Sequence, residues 1–138
     1  MLPKSYSRFF FSKLTLANIT DSSRVERRGF KTAHCEGPDP ASITEIREGI
    51  AYLASLGGPP FLPKGPGSCS RVSCSWNSAI WVCNDNHDTL VIGNWPDVAR
   101  SAQRIVDACL ELKIDRSRVK GYSIEPGNWR VVIGHTVC

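Results

Sequence analysis

The chain of 138 residues has no C-x-x-C pair, no cysteine–histidine cluster, no G-x-S-x-G segment and no long uninterrupted apolar run. Each absence removes a class of protein. A structural zinc site shows paired ligands about two to four residues apart, a thioredoxin-type redox centre needs C-x-x-C, and an α/β-hydrolase needs its nucleophile elbow. A helix crossing a bilayer needs about 20 predominantly apolar residues in a row. Aromatic residues make up only 9%, yet the 41% hydrophobic share is enough for a packed core and lies outside the composition of disordered chains. The length suits one compact domain, since these commonly run to roughly 100–200 residues.

What is present divides unevenly along the chain. Residues 1–28 hold six basic residues (Lys4, Arg8, Lys13, Arg24, Arg27, Arg28) and two acidic ones (Asp21, Glu26), which accounts for the whole net charge of +4. Residues 29–138 are formally neutral and contain all six cysteines and all four tryptophans. The sequence therefore reads as a basic leader, 1–28, disordered or processed, before a six-cysteine domain, 29–138.

The cysteines are Cys35, Cys69, Cys74, Cys83, Cys109 and Cys138. An even number in a short chain reads as a disulfide framework and implies an oxidising, extracellular location. The alternative is a set of reduced, buried thiols. The leader does not settle the compartment. Phe9, Phe10 and Phe11 are cut off by Ser12 and Lys13, so no uninterrupted apolar signal segment forms, and the basic, serine-bearing start is nearer a mitochondrial transit peptide. Arg27-Arg28 is a candidate processing site releasing the domain at Gly29, or a plain surface pair. Asn18-Ile19-Thr20 fits the glycosylation sequon.

Residues 29–35 alternate in character and read as a strand. Ile43, Ile46, Ile50 and Leu53 recur at helical spacing, behind a capping box at Ser42 and Glu45, with Gly57 as the stop. Between Gly57 and Ser68, eight of twelve residues are Gly or Pro, which reads as a surface crossover pressed back on the domain at Phe61 and Leu62. A hairpin follows, with arms 69–76 and 79–84 about a turn at Asn77-Ser78. Val72, Cys74 and Trp76 are expected to share one face, and Ala79, Trp81 and Cys83 another. Residues 84–88 form a polar turn and 90–92 a short edge strand. A second helix starts at Asn94 and Pro96, with Val98, Ala102, Ile105, Cys109 and Leu112 on one face. Strands over 119–124 and 129–137 flank a turn at residues 125–128, with Trp129, Val131, Ile133 and Val137 alternating. This order gives an α+β fold of the split βαβ type: a disulfide-stapled antiparallel sheet with both helices on one face. A bridge from Cys109 to Cys74 or Cys83 would staple helix to hairpin.

Few residues invite catalysis. His34 or His135, beside a carboxylate such as Glu36 or Glu125, would supply general acid–base chemistry for a small hydrolase or ribonuclease-like enzyme. Structural or surface histidines are the plainer reading. Asp85, His87 and Asp88 offer cation ligands but lack a calcium-loop spacing, so a solvated turn is expected and no metal or cofactor is assigned. Arg100, Arg104, Arg116, Arg118 and Lys120 make a modest basic patch. A phosphate track needs several clustered contacts, so no nucleic-acid partner is assigned, and the four tryptophans are expected to pack the core.

The stretch from Cys69 through Trp76, Ser78-Ala79-Ile80-Trp81, Cys83 and Asn84-Asp85-Asn86 carries a resemblance, together with Asn94-Trp95 opening a helix that ends near Cys109, Val119-Lys120-Gly121-Tyr122, and Asn128-Trp129 leading to Cys138. It resembles a family of small cysteine-rich secreted proteins of filamentous fungi, treated as candidate effectors and similar in layout to necrosis-inducing factors and α/β killer toxins. The resemblance covers about residues 30–138. It implies a secreted, non-enzymatic protein acting on a host or competitor cell by binding a protein, membrane or wall component, and it supplies no catalytic residues.

Overall fold

The computed structural model describes residues 33–110 and 116–138. The leader with its processing site and sequon, residues 29–32 of the first expected strand, and Leu112 lie outside the described residues. In chain order the elements are β1 (Ala33–His34), β2 (Ala41–Ser42), α1 (Ile43–Ala54), β3 (Phe61–Leu62), β4 (Ser68–Ser75), β5 (Ser78–Asn84) and β6 (Leu90–Val91). Then follow α2 (Trp95–Leu110), β7 (Arg118–Val119), β8 (Gly121–Glu125) and β9 (Trp129–His135). Five strands form one antiparallel sheet in the order β1-β8-β9-β5-β4, and two small ribbons, β2–β7 and β3–β6, stand beside it.

Both helices cover the same face of this sheet, α1 over β4 and β5, α2 over β1, β8 and β9, and they pack against each other. The fold is the expected disulfide-stapled α+β arrangement. The stripe of α1 is buried at Ile43, Ile46, Ile50 and Leu53, and that of α2 at Val98, Ala102, Ile105 and Cys109. They close on Ile80, Val82, Val131, Ile133 and the buried Trp129. Two glycines set the spacing between layers. A Cβ at Gly49 of α1 would stand 2.5 Å from Ser73 Oγ and 3.2 Å from Ile80 Cδ1. One at Gly121 of β8 would stand 2.5 Å from the His34 carbonyl oxygen and 3.1 Å from Cys109 Sγ.

Helix ends follow partly different rules from those expected. Asn94 caps α2, its Oδ1 accepting from Asp97 N at 2.9 Å. Ser42 makes no side-chain cap to α1. Instead the Ile43 amide donates to the Ser117 carbonyl at 2.9 Å, so a tertiary contact takes the place of the capping box. At the other end the chain leaves the helix at Ser55, still in right-handed conformation, two residues before Gly57. The glycine- and proline-rich crossover is anchored by β3, where Leu62 is buried, Phe61 is exposed, and both pair with β6.

The hairpin turn is Trp76-Asn77, not Asn77-Ser78. Ser75 pairs with Ser78, and the two residues between have φ of 49° and 59°, the doubly left-handed geometry of a type I′ turn. A bulge between Arg71 and Ser73 shifts the register by one residue. Val72 therefore packs against the core, whereas Cys74 pairs with Ala79 on the opposite side. Trp76 and Val137, both expected inside, are exposed.

Three disulfides close the framework: Cys35–Cys109, Cys69–Cys83 and Cys74–Cys138. The expected bridge from Cys109 to the hairpin does not form. Cys109 points from α2 onto Gly121, beside β1, and takes Cys35. Cys74 and Cys83 share the sheet face turned away from the helices, across the layer from Cys109.

Candidate binding site at the hairpin tip

An open depression of about 400 Å³ lies where the β4–β5 turn, the β2–β7 ribbon and the end of β9 meet. This is within the size range of small-ligand pockets, roughly 300–1,000 Å³. Trp76 and Asn77 come from the turn, Ser78 from β5, Ser42 from β2, Ser117 and Arg118 from the β7 side, and His135 from β9. No carboxylate lines it among the described residues.

Trp76 dominates the rim. It is 82% exposed, the most exposed of the large hydrophobic residues described, and sits in a left-handed conformation that bulky residues rarely adopt. Strain of this kind, of order 1–3 kcal/mol, persists only where the surroundings over-determine the backbone, and here they do. Ser78 Oγ donates to the Trp76 carbonyl at 3.3 Å while accepting from Ser42 N at 3.0 Å. Asn77 accepts from Thr136 N through its carbonyl at 3.1 Å and from Cys138 N through Oδ1 at 3.2 Å. Arg71 Nη1 donates to the Val137 carbonyl at 3.2 Å, and Cys74–Cys138 ties segment 136–138 to the strand two residues before Trp76. A bare tryptophan is thus carried on a covalently braced turn.

The cations sort into two kinds. Arg100 pairs with Asp97, Arg104 with Glu125, and Arg130 Nε with Asp85 Oδ2 at 3.0 Å. Among the described residues Arg118, like Arg47, Lys64, Arg71, Arg116 and Lys120, makes no ion pair, and its Nη1 donates a long 3.4 Å bond to the Pro40 carbonyl. The basic patch expected from sequence is therefore partly neutralised, with one unmatched guanidinium left at the depression.

His34 stacks on Tyr122, ring centroids 4.7 Å apart, on the bare face of the sheet. That row continues through Val132 and Trp81 to Arg71. His135 lies three residues beyond Val132 and so on the other face, at the depression. The structure does not bring the two histidines together. Glu125 sits at the far end of β9 from His135, opposite Trp129, accepting from Ser101 Oγ at 2.7 Å and Ser123 Oγ at 2.8 Å as well as from Arg104. Asp85 is likewise structural, accepting also from Gly67 N at 3.1 Å, and no metal-holding cluster occurs among the described residues.

No family model, curated protein or solved structure matches the chain. No helix among the described residues is long and apolar enough to cross a membrane.

Sequence reasoning placed Trp76 in the core and Arg118 in a diffuse patch, and so missed the site they form. Asn77 was the available signal, because asparagine tolerates the left-handed conformation that both central residues of a tight hairpin turn adopt.

Proposed function

We propose that this is a secreted, non-enzymatic, effector- or toxin-like protein that engages a component of a host or competitor cell through the Trp76 hairpin tip. The observation that carries the reading is an almost fully exposed tryptophan on a turn held by the Cys74–Cys138 bridge and by hydrogen bonds to Asn77. Tryptophans that become buried on binding are enriched among the energetic hot spots of interfaces. Fixing such an anchor beforehand removes much of the ordering cost of association. Three disulfides support a life outside the cell.

Labelled, fully oxidised protein should bind saturably to intact target cells. Trp76→Ala should weaken that binding by roughly 30-fold, which corresponds to a hot spot of about 2 kcal/mol. Wild-type binding by Trp76→Ala would refute the assignment of the tip.

A further inference from the structure

The chemistry of the depression narrows its ligand, an inference that rests on the binding reading above. We propose that it takes a carboxylate-bearing saccharide of the uronic-acid type.

The guanidinium of Arg118 is a planar fork suited to bidentate contact with a carboxylate, and it is the arginine beside the depression without an acidic partner among the described residues. Arg100, Arg104 and Arg130 each have one, and Arg47, Arg71 and Arg116, which also have none among the described residues, do not line the depression. His135, exposed on the same rim, adds a further donor. The indole of Trp76 offers an uncovered apolar face of the kind on which the C–H face of a pyranose ring rests. Ser42 brings a hydroxyl and Asn77 its side-chain N–H donors to the same concavity, matching the hydroxyls of a sugar.

The charge count separates this ligand from a nucleic acid. A phosphate backbone is held by several clustered cations, whereas here one arginine and one histidine face the ligand and residues 29–138 are neutral overall. A single carboxylate per sugar unit fits that supply. The concave polar lining also suits a sugar better than a flat lipid surface.

The test titrates the full oxidised chain by calorimetry with an oligogalacturonate, its fully methyl-esterified form, a short single-stranded RNA, and phosphatidylserine/phosphatidylcholine vesicles. Circular dichroism checks the fold of each variant. Expected are binding to the acid oligosaccharide, at least tenfold weaker binding to the methyl ester, and at least tenfold losses for Arg118→Gln and Trp76→Ala. Arg100→Gln, paired on α2 away from the depression, should bind as wild type. Equal affinity for acid and ester, no effect of Arg118→Gln in a folded variant, or binding to RNA or vesicles alone would overturn the saccharide assignment. Cell binding that depends on Trp76 without uronate binding would overturn the ligand class and leave the tip as the binding site. Cell binding unaffected by Trp76→Ala would overturn both.

Discussion

Removing the disulfides one pair at a time should destabilise the fold in a fixed order. In the chain-entropy description a bridge restricts the unfolded ensemble by about 2.1 + 1.5R ln n cal/mol/K, with n the closed loop length. The separations are 74 for Cys35–Cys109, 64 for Cys74–Cys138 and 14 for Cys69–Cys83. These give about 4.4, 4.3 and 3.0 kcal/mol at room temperature. Packing sharpens the ranking. Cys109 is fully buried against Gly121, so its replacement by Ala also leaves a void in the core, whereas Cys138 is exposed. Cys83 is as fully buried as Cys109, but Cys69 and Cys83 already face each other across a local hairpin, so the short loop makes their bridge add least. The variants are Cys35→Ala/Cys109→Ala, Cys74→Ala/Cys138→Ala and Cys69→Ala/Cys83→Ala. Each would be unfolded in guanidinium chloride under oxidising conditions, after peptide mapping confirms that the other two bridges remain. The order should be Cys35–Cys109, then Cys74–Cys138, then Cys69–Cys83, and the Cys74–Cys138 variant should also lose tip binding. A larger loss from Cys69–Cys83 than from Cys35–Cys109 would refute the reasoning.

Three further substitutions probe the interior. Asn84 is fully buried, with Nδ2 donating to the Pro63 and Asp88 carbonyls at 2.8 Å each and Oδ1 accepting from Asn86 N at 2.9 Å. Asn84→Ala should therefore cost roughly 3 kcal/mol by chemical denaturation, because several partners lose their bonds at once. Glu125→Ala should cost about 2 kcal/mol, and a double-mutant cycle with Arg104→Ala should show coupling near 1 kcal/mol; strict additivity would contradict the shared cluster. Gly49→Ala should destabilise by about 1 kcal/mol despite alanine's better helix propensity, since its Cβ meets Ser73 Oγ, and Ser73→Gly in the same chain should restore stability in thermal melts.

The helices were legible because each shows an unbroken apolar stripe, Ile43 to Leu53 and Val98 to Cys109, and a stripe survives small errors in its ends. The layer order was legible for the same reason. The hairpin itself was legible as two apolar-rich arms, but its faces were not, because a single inserted residue at the β4 bulge sends Val72 and Cys74 to opposite faces, and alternation alone carries no sign of a bulge. The disulfide map failed as a consequence, since choosing a partner for Cys109 required knowing which face each hairpin cysteine occupied. Trp76 was unreadable on general grounds: hydrophobicity places a tryptophan inside, and only the positions of its backbone neighbours hold it out. Arg118 shows the same limit, because whether a cation is matched depends on partners distant in sequence, as with Arg130 and Asp85.

The sheet has two outer strands, β1 and β4, and every bridge is fastened on or directly beside one of them. A protease draws its substrate in as several residues of extended chain, and outer strands are where a sheet first lets such a segment go. Peeling β4 from either end meets a covalent stop at Cys69 or at Cys74, and peeling β1 meets one at Cys35. Opening of the outer strands is thus confined to stretches too short to thread an active-site cleft, so cleavage within the sheet must wait for global unfolding, and its rate is set by how fast the whole domain opens.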